Sequence, residues 1–172
     1  MAKISTLLAL ACVAGLGVSG SLFAQTCSTS TYAAFSSAST NKDLCSGTNF
    51  VTKYCAFVNN ASEDLAFSFT PAAGFTATSI TLTNVSGGWT PEIVLQTTCG
   101  SPNECLATGT GTSAAASTAT LLFSDSATPV AAGTQFFVMV TNTGASVCPT
   151  AETFTLAANG SLPVKLSSFS ID

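Results

Sequence analysis

The sequence predicts an all-β chain: an antiparallel two-sheet sandwich, jelly-roll-like, of about eight strands. Three observations carry that expectation. Apolar side chains recur at every second position along short runs, whereas helical spacing is nearly absent beyond the N-terminal leader. Clusters of Gly, Pro and Asn such as "PAAG", "SGGW", "PVAAGT" and "NTGAS" separate the runs. Charged residues are few, 4 lysines against 8 acids with no arginine and no histidine, so faces that meet water must be built largely from Ser and Thr hydroxyls.

"MAKISTLLALACVAGLGVSGSLFAQ" opens the chain with Lys3, an apolar run from Ile4 to Val18 and small residues ahead of Gln25. This is the pattern of a secretory signal peptide over residues 1–24, cleaved after Ala24. The run is short and softened by glycine, which disfavours a membrane span. "LALAC" would suit lipidation at Cys12, but Ala9 stands where leucine is usual and the apolar stretch continues past the cysteine. Residues 25–63 read as a polar, disulfide-tethered segment, irregular over 26–49 and holding a first strand in "FVTKYCAFV".

The sandwich core is expected over 64–160. "DLAFSFTP" sets Leu65, Phe67 and Phe69 on one face and stops at Pro71; "TSITLTNV" sends Ile80 and Leu82 one way and Ser79, Thr81 and Thr83 the other. "EIVLQTT", "STATLLFS", "QFFVMVTN" and "TFTLAAN" continue the series. Apolar side chains on both faces of "QFFVMV" predict a central strand covered on each side. "TGTGTSAAAST" reads as a long loop within one domain, and residues 161–172 as a tail or an edge strand starting at Pro163. With no second apolar span and no basic tail in residues 161–172, no membrane anchor is expected there.

The run from Asp64 to Ala157 resembles the bacterial pre-peptidase C-terminal domain family, small sandwiches appended to secreted proteins. The residues that carry the resemblance are "EDLAFSFTPAAGFTATSITLTNV", "WTPEIVLQTTCG", "AAGTQFFVMVTN" and "ETFTLAAN", with Gly133, Thr134, Phe136, Phe137, Val138 and Val140 matching the late-strand signature. The middle strand is entered through Trp89, Thr90 and Pro91 rather than through an aspartate, so the resemblance does not transfer a calcium site. "LPVKLSSFSID" is similar to a short segment near the ends of bacterial secreted proteins, often ahead of a sorting region.

Of 7 cysteines, Cys12 leaves with the leader. Cys27, Cys45, Cys55, Cys99, Cys105 and Cys148 remain, an even set that an oxidising compartment converts to disulfides. Cys99 and Cys105 are expected to pair across the "CGSPNEC" loop. Cys27, Cys45, Cys55 and Cys148 admit several pairings.

The absence of histidine removes the common triads and histidine-ligated zinc. No nucleophile elbow and no phosphate-binding loop occur in the mature chain, and scattered lysines give nucleic acid nothing to bind. Two-carboxylate glycoside hydrolysis needs no histidine, and Glu92 near Trp89 is its best candidate; the alternative has Trp89 capping the sandwich edge and Glu92 facing water. No cofactor is expected unless calcium binds at Asp64 with Glu63, Asn59 or Asn60, a stretch that a plain turn before a strand explains equally.

The function that follows is a non-enzymatic exported module, secreted or on the cell surface with the periplasm as alternative. Its expected partner is an extracellular glycan or protein, or another copy of itself. Contacts would come from loops at one end, with Trp89, Glu92, Pro102 and Asn103 as candidates. A structural subunit of a filament or surface layer is the alternative, and a secreted two-carboxylate hydrolase ranks last.

Overall fold

A computed structural model describes residues 32–35, 38–47, 53–55, 57–58, 63–144, 148 and 150–162. The leader, Cys27, Asn59, Asn60 and the expected strand beyond Leu162 lie outside them. The strands in chain order are β1 (Tyr32–Ala34), β2 (Ala38–Asp43), β3 (Lys53–Tyr54), β4 (Phe57–Val58), β5 (Leu65–Phe69), β6 (Ser79–Asn84), β7 (Pro91–Gln96), β8 (Ala107–Thr110), β9 (Thr118–Leu122), β10 (Phe136–Asn142) and β11 (Thr153–Asn159).

Two antiparallel sheets face each other, one ordered β5-β10-β7-β8 and the other β2-β11-β6-β9; β1 adds a parallel edge strand beside β5, and β3 and β4 form a separate hairpin. The pairings nest. β7 pairs with β8, β6 with β9, β5 with β10 and β2 with β11, as in one long hairpin rolled into a sandwich, which is jelly-roll topology. The tip of that hairpin is the 97–106 loop.

Period-two alternation fills the space between the sheets. Phe67 and Phe69 from β5, Ile80 and Leu82 from β6, Ile93 and Leu95 from β7, Leu121 from β9, Phe136, Val138 and Val140 from β10, and Phe154 and Leu156 from β11 form one buried cluster. Phe69 stacks on Phe123 and Phe136, while Phe154 meets Phe67 and Trp89 edge-on at centroid distances of 6.2 and 6.0 Å.

The opposite face of the first sheet is buried as well. Register places Met139 between Ala66 and Val94, Phe137 between Ser68 and Gln96, and Thr141 beside Glu92. All eight of these residues are below the surface. Tyr54 and Cys99 pack with Ala66, Val94, Phe137 and Met139 as a second, smaller core. β10 is therefore a central strand covered on both sides, as its sequence predicts.

Three strands arise where the sequence reads as irregular. β1 and β2 lie in the 26–49 stretch, and β8 starts the segment read as a long loop. β2, "ASTNKD", is an edge strand with Asn41 and Lys42 exposed, so it lacks the apolar alternation of a covered strand. In β8, Gly109 faces the backbone of β9: a Cβ there would sit 2.3 Å from the Thr120 carbonyl oxygen. The close approach of two strands at a sandwich corner requires glycine, the residue that disguises the strand.

Phe154→Ala should lower the unfolding free energy by about 3–5 kcal/mol in urea titrations, because the ring is fully buried between Phe67 and Trp89. Leu122→Ala, at a side chain 43% exposed, should cost less than about 1 kcal/mol. Equal costs would contradict the assigned faces.

Candidate functional site

The "CGSPNEC" loop is organised from within by two polar side chains. The Gln96 amide accepts from Gly100 N–H at 3.1 Å and donates to the carbonyls of Ser101 and Glu104 at 2.5 and 2.8 Å. Glu104 turns back and accepts from the Thr97 and Thr98 N–H groups at 2.7 and 2.9 Å, and from the Thr97 hydroxyl. Burial alone would raise its pKa, but these hydrogen bonds outweigh it and hold the carboxyl below the ordinary range.

With the loop closed by hydrogen bonds, its cysteines point elsewhere. Cys105 is bonded to Cys55, not to Cys99 as the short spacing suggests, and Cys55 N–H donates to the Pro102 carbonyl at 2.9 Å. Cys99 is also oxidised; its sulfur is buried 3.8 Å from that of Met139. The second bridge joins Cys45 to Cys148. These bonds span 103 and 50 residues, so each removes about 4–5 kcal/mol of denatured-chain entropy, roughly twice what a bridge within the loop would remove. Oxidised cysteines fit a compartment outside the cytoplasm. No helix among the described residues is long and apolar enough to cross a membrane.

Two of the four expected contact residues are inside the protein. Trp89 is 2% exposed and packs on Phe154; its loop is fixed by Asn84, which donates to the Trp89 carbonyl and accepts from Gly87 N–H. Glu92 does not face water. It is fully buried, one carboxylate oxygen accepting from the Thr110 hydroxyl and the other without a partner. Pro102 is half-buried and Asn103 exposed at the loop tip. Of the residues considered for calcium, Asp64 is buried beside the Tyr54 hydroxyl, and Glu63 Oε2 lies 3.0 Å from the Cys148 sulfur. Burial first, then the Asp64 charge, push the Tyr54 phenol far above its ordinary range.

Sequence reasoning missed an open groove of about 520 Å³ at the end of the sandwich that also carries the 97–106 loop. Phe75, Ala77 and Thr78, between β5 and β6, form one wall; Leu122, the last residue of β9, and Phe123, Ser124, Pro129 and Val130 beyond it form the other. None of these side chains ionises. Leu122 is 43% exposed. One available signal was Phe75, an aromatic outside the alternating runs; Phe123 reads as part of the "STATLLFS" strand, whereas β9 ends at Leu122 and Phe123 begins a 3-10 turn.

This architecture defines the class: a disulfide-braced, all-β jelly-roll sandwich. Searches of family models, curated proteins and solved structures return no match to the chain.

Burial pushes the Glu92 pKa up to about 7, against the lowering effect of the Thr110 hydrogen bond. Unfolded, the group titrates near 4.5. Between these values the folded chain holds more protons, so the Glu92 contribution to stability falls as pH rises through the window. Glu92→Gln, which keeps an acceptor for Thr110, should therefore stabilise the protein at pH 8 by about 2–3 kcal/mol and change little near pH 4. Urea unfolding at both pH values checks this; a variant less stable than wild type at pH 8 would contradict it.

Proposed function

We propose that this chain is an exported, non-enzymatic module that binds an extracellular glycan or protein through the groove end of the sandwich. The observation that carries the reading is a division of chemistry. Glu92 and Trp89, the pair best suited to sugar hydrolysis, are buried, while the open groove is lined by apolar and hydroxyl side chains with no acid or base. General acid–base catalysis needs a titratable group within reach of the substrate; adhesive recognition needs shape and apolar contact.

Other features support export and binding. The leader pattern over residues 1–24 and the oxidised cysteines suit a secreted or surface protein. The resemblance of residues 64–157 to modules appended to secreted proteins favours an accessory role. Low charge fits a partner held without strong electrostatic attraction.

Self-association into a filament or surface layer is a second reading. β9 is the edge of its sheet and alternates exposed with buried side chains, ending at Leu122 in the groove wall. Because β8 packs against the outer edge of β9 at Gly109, contact between copies would fall to the exposed face of β9 and to Leu122 rather than to strand addition.

Wild-type protein should bind at least one component of a panel of immobilised glycans and matrix proteins, and Leu122→Asp should weaken that binding by tenfold or more. Background signal across the whole panel would contradict the reading. So would polysaccharide hydrolysis by wild type that disappears in Glu92→Gln. Concentration-dependent oligomers abolished by Leu122→Asp, with no panel binding, would select the second reading.

A further inference from the structure

The sheet ordered β2-β11-β6-β9 turns one face to the core, and its outer face repeats a motif on three neighbouring strands. "TLT" in β6, "TAT" in β9 and "TFT" in β11 each set a buried residue, Leu82, Ala119 or Phe154, between two outward threonines. Register brings these threonines level. Thr83 stands between Thr155 and Thr118, and Thr81 stands between Ala157 and Thr120. The Thr81 and Thr120 hydroxyls are in hydrogen-bond contact at 3.2 Å. Val85 and Leu122, the two exposed large hydrophobics among the described residues, continue the same face at its two ends. No residue of β6, β9 or β11 is charged, and the one aromatic among them, Phe154, points into the core.

We infer that this face binds ice. Hydroxyls ranked in register on three strands suit a partner that itself repeats in two dimensions. Neighbouring strands lie about 4.8 Å apart, and same-face side chains recur about every 6.8 Å along each strand; the prism faces of ice carry rows of oxygens at closely similar repeats. Each threonine presents a hydroxyl that can occupy a lattice position beside a methyl whose hydration water is already restricted in orientation. β-Branching, and for Thr81 and Thr120 their mutual hydrogen bond, hold these groups in place before contact. A charged side chain would keep its own hydration shell against the lattice, and these strands have none. Twist turns adjacent strands by about 20–25°, so the match is best along β6, which lies between the other two.

Other occupants fit less well. Crystalline polysaccharide is also uncharged and periodic, but flat sugar surfaces are gripped by exposed aromatic rings, which this face lacks. A second copy would need more area. Three strands with four same-face positions offer roughly 300 Å², against about 800 Å² per partner in a stable protein interface. The face shares only Leu122 with the groove, so the inference stands apart from the partner proposed there.

Ice grain growth in an annealed frozen sucrose film, with adsorption of dye-labelled full-length protein to a single ice crystal, tests the inference. Wild-type protein should keep the grains small and coat the prism planes. Thr83→Lys, at the centre of the face, should raise the concentration needed by about tenfold or more. Thr118→Lys, on the outermost of the three strands, should do the same and serves if the first variant does not fold. Ala132→Lys adds the same charge at an exposed position in the loop before β10 of the other sheet, and should change nothing. Grain growth equal to that in buffer with wild type, or full activity in both threonine variants, would overturn the inference. So would adsorption to crystalline cellulose or chitin, or a concentration-dependent dimer, that the threonine variants abolish while ice is left uncoated by wild type.

Discussion

The burial of Phe136–Asn142 on both faces is the constraint on which the rest of the structure depends. A strand apolar on one face needs one partner layer; "FFVMV" is apolar on both and needs two. The jelly roll supplies the first through the facing sheet, whose Leu82, Leu121 and Leu156 meet Val138 and its neighbours. The second is supplied locally, by Tyr54 and Cys99 over Met139 and Phe137. The Cys55–Cys105 bond fastens the hairpin that carries Tyr54 to the rolled hairpin's tip. Without that attachment the outer row of the sheet would be exposed, and the polar groups interleaved with it would be solvated rather than buried.

Those interleaved polar groups decide what the protein can do. Gln96 and Glu92 occupy equivalent outward positions of β7, four residues apart, yet only Gln96 is satisfied at both ends of its side chain. Gln96 organises a loop. Glu92 is left half-paired, and burial raises its pKa to about 7, so its titration bears on stability. The chemistry open to solvent lies elsewhere, in an uncharged groove at the end of the sandwich.

Much of this was legible in the sequence because each face of a strand leaves a period-two trace. The core strands from Leu65 to Asn159 follow their apolar alternation, and "QFFVMV" announced its own second cover. The signal failed where a residue's role depends on what crosses it in space. Gly109 is a strand residue because Thr120 presses against it, and the adjacent Gly and Thr residues carry no apolar pattern. Glu92 reads as outward-facing, which it is, but the outward face of this sheet is covered. Cys99 and Cys105 are close in sequence, yet the Gln96 and Glu104 side chains occupy the interior of their loop and turn the sulfurs apart. Spacing along the chain carries no information about such competition.

The most direct measurement of the central claim is the disulfide map of the unreduced protein, obtained by proteolysis and mass spectrometry of linked peptides. A Cys55–Cys105 peptide, together with Cys45–Cys148, is the predicted result, since the second layer over β10 is anchored by that bond. A Cys99–Cys105 peptide would close the tip loop on itself, leave the Tyr54 hairpin unfastened, and contradict the account.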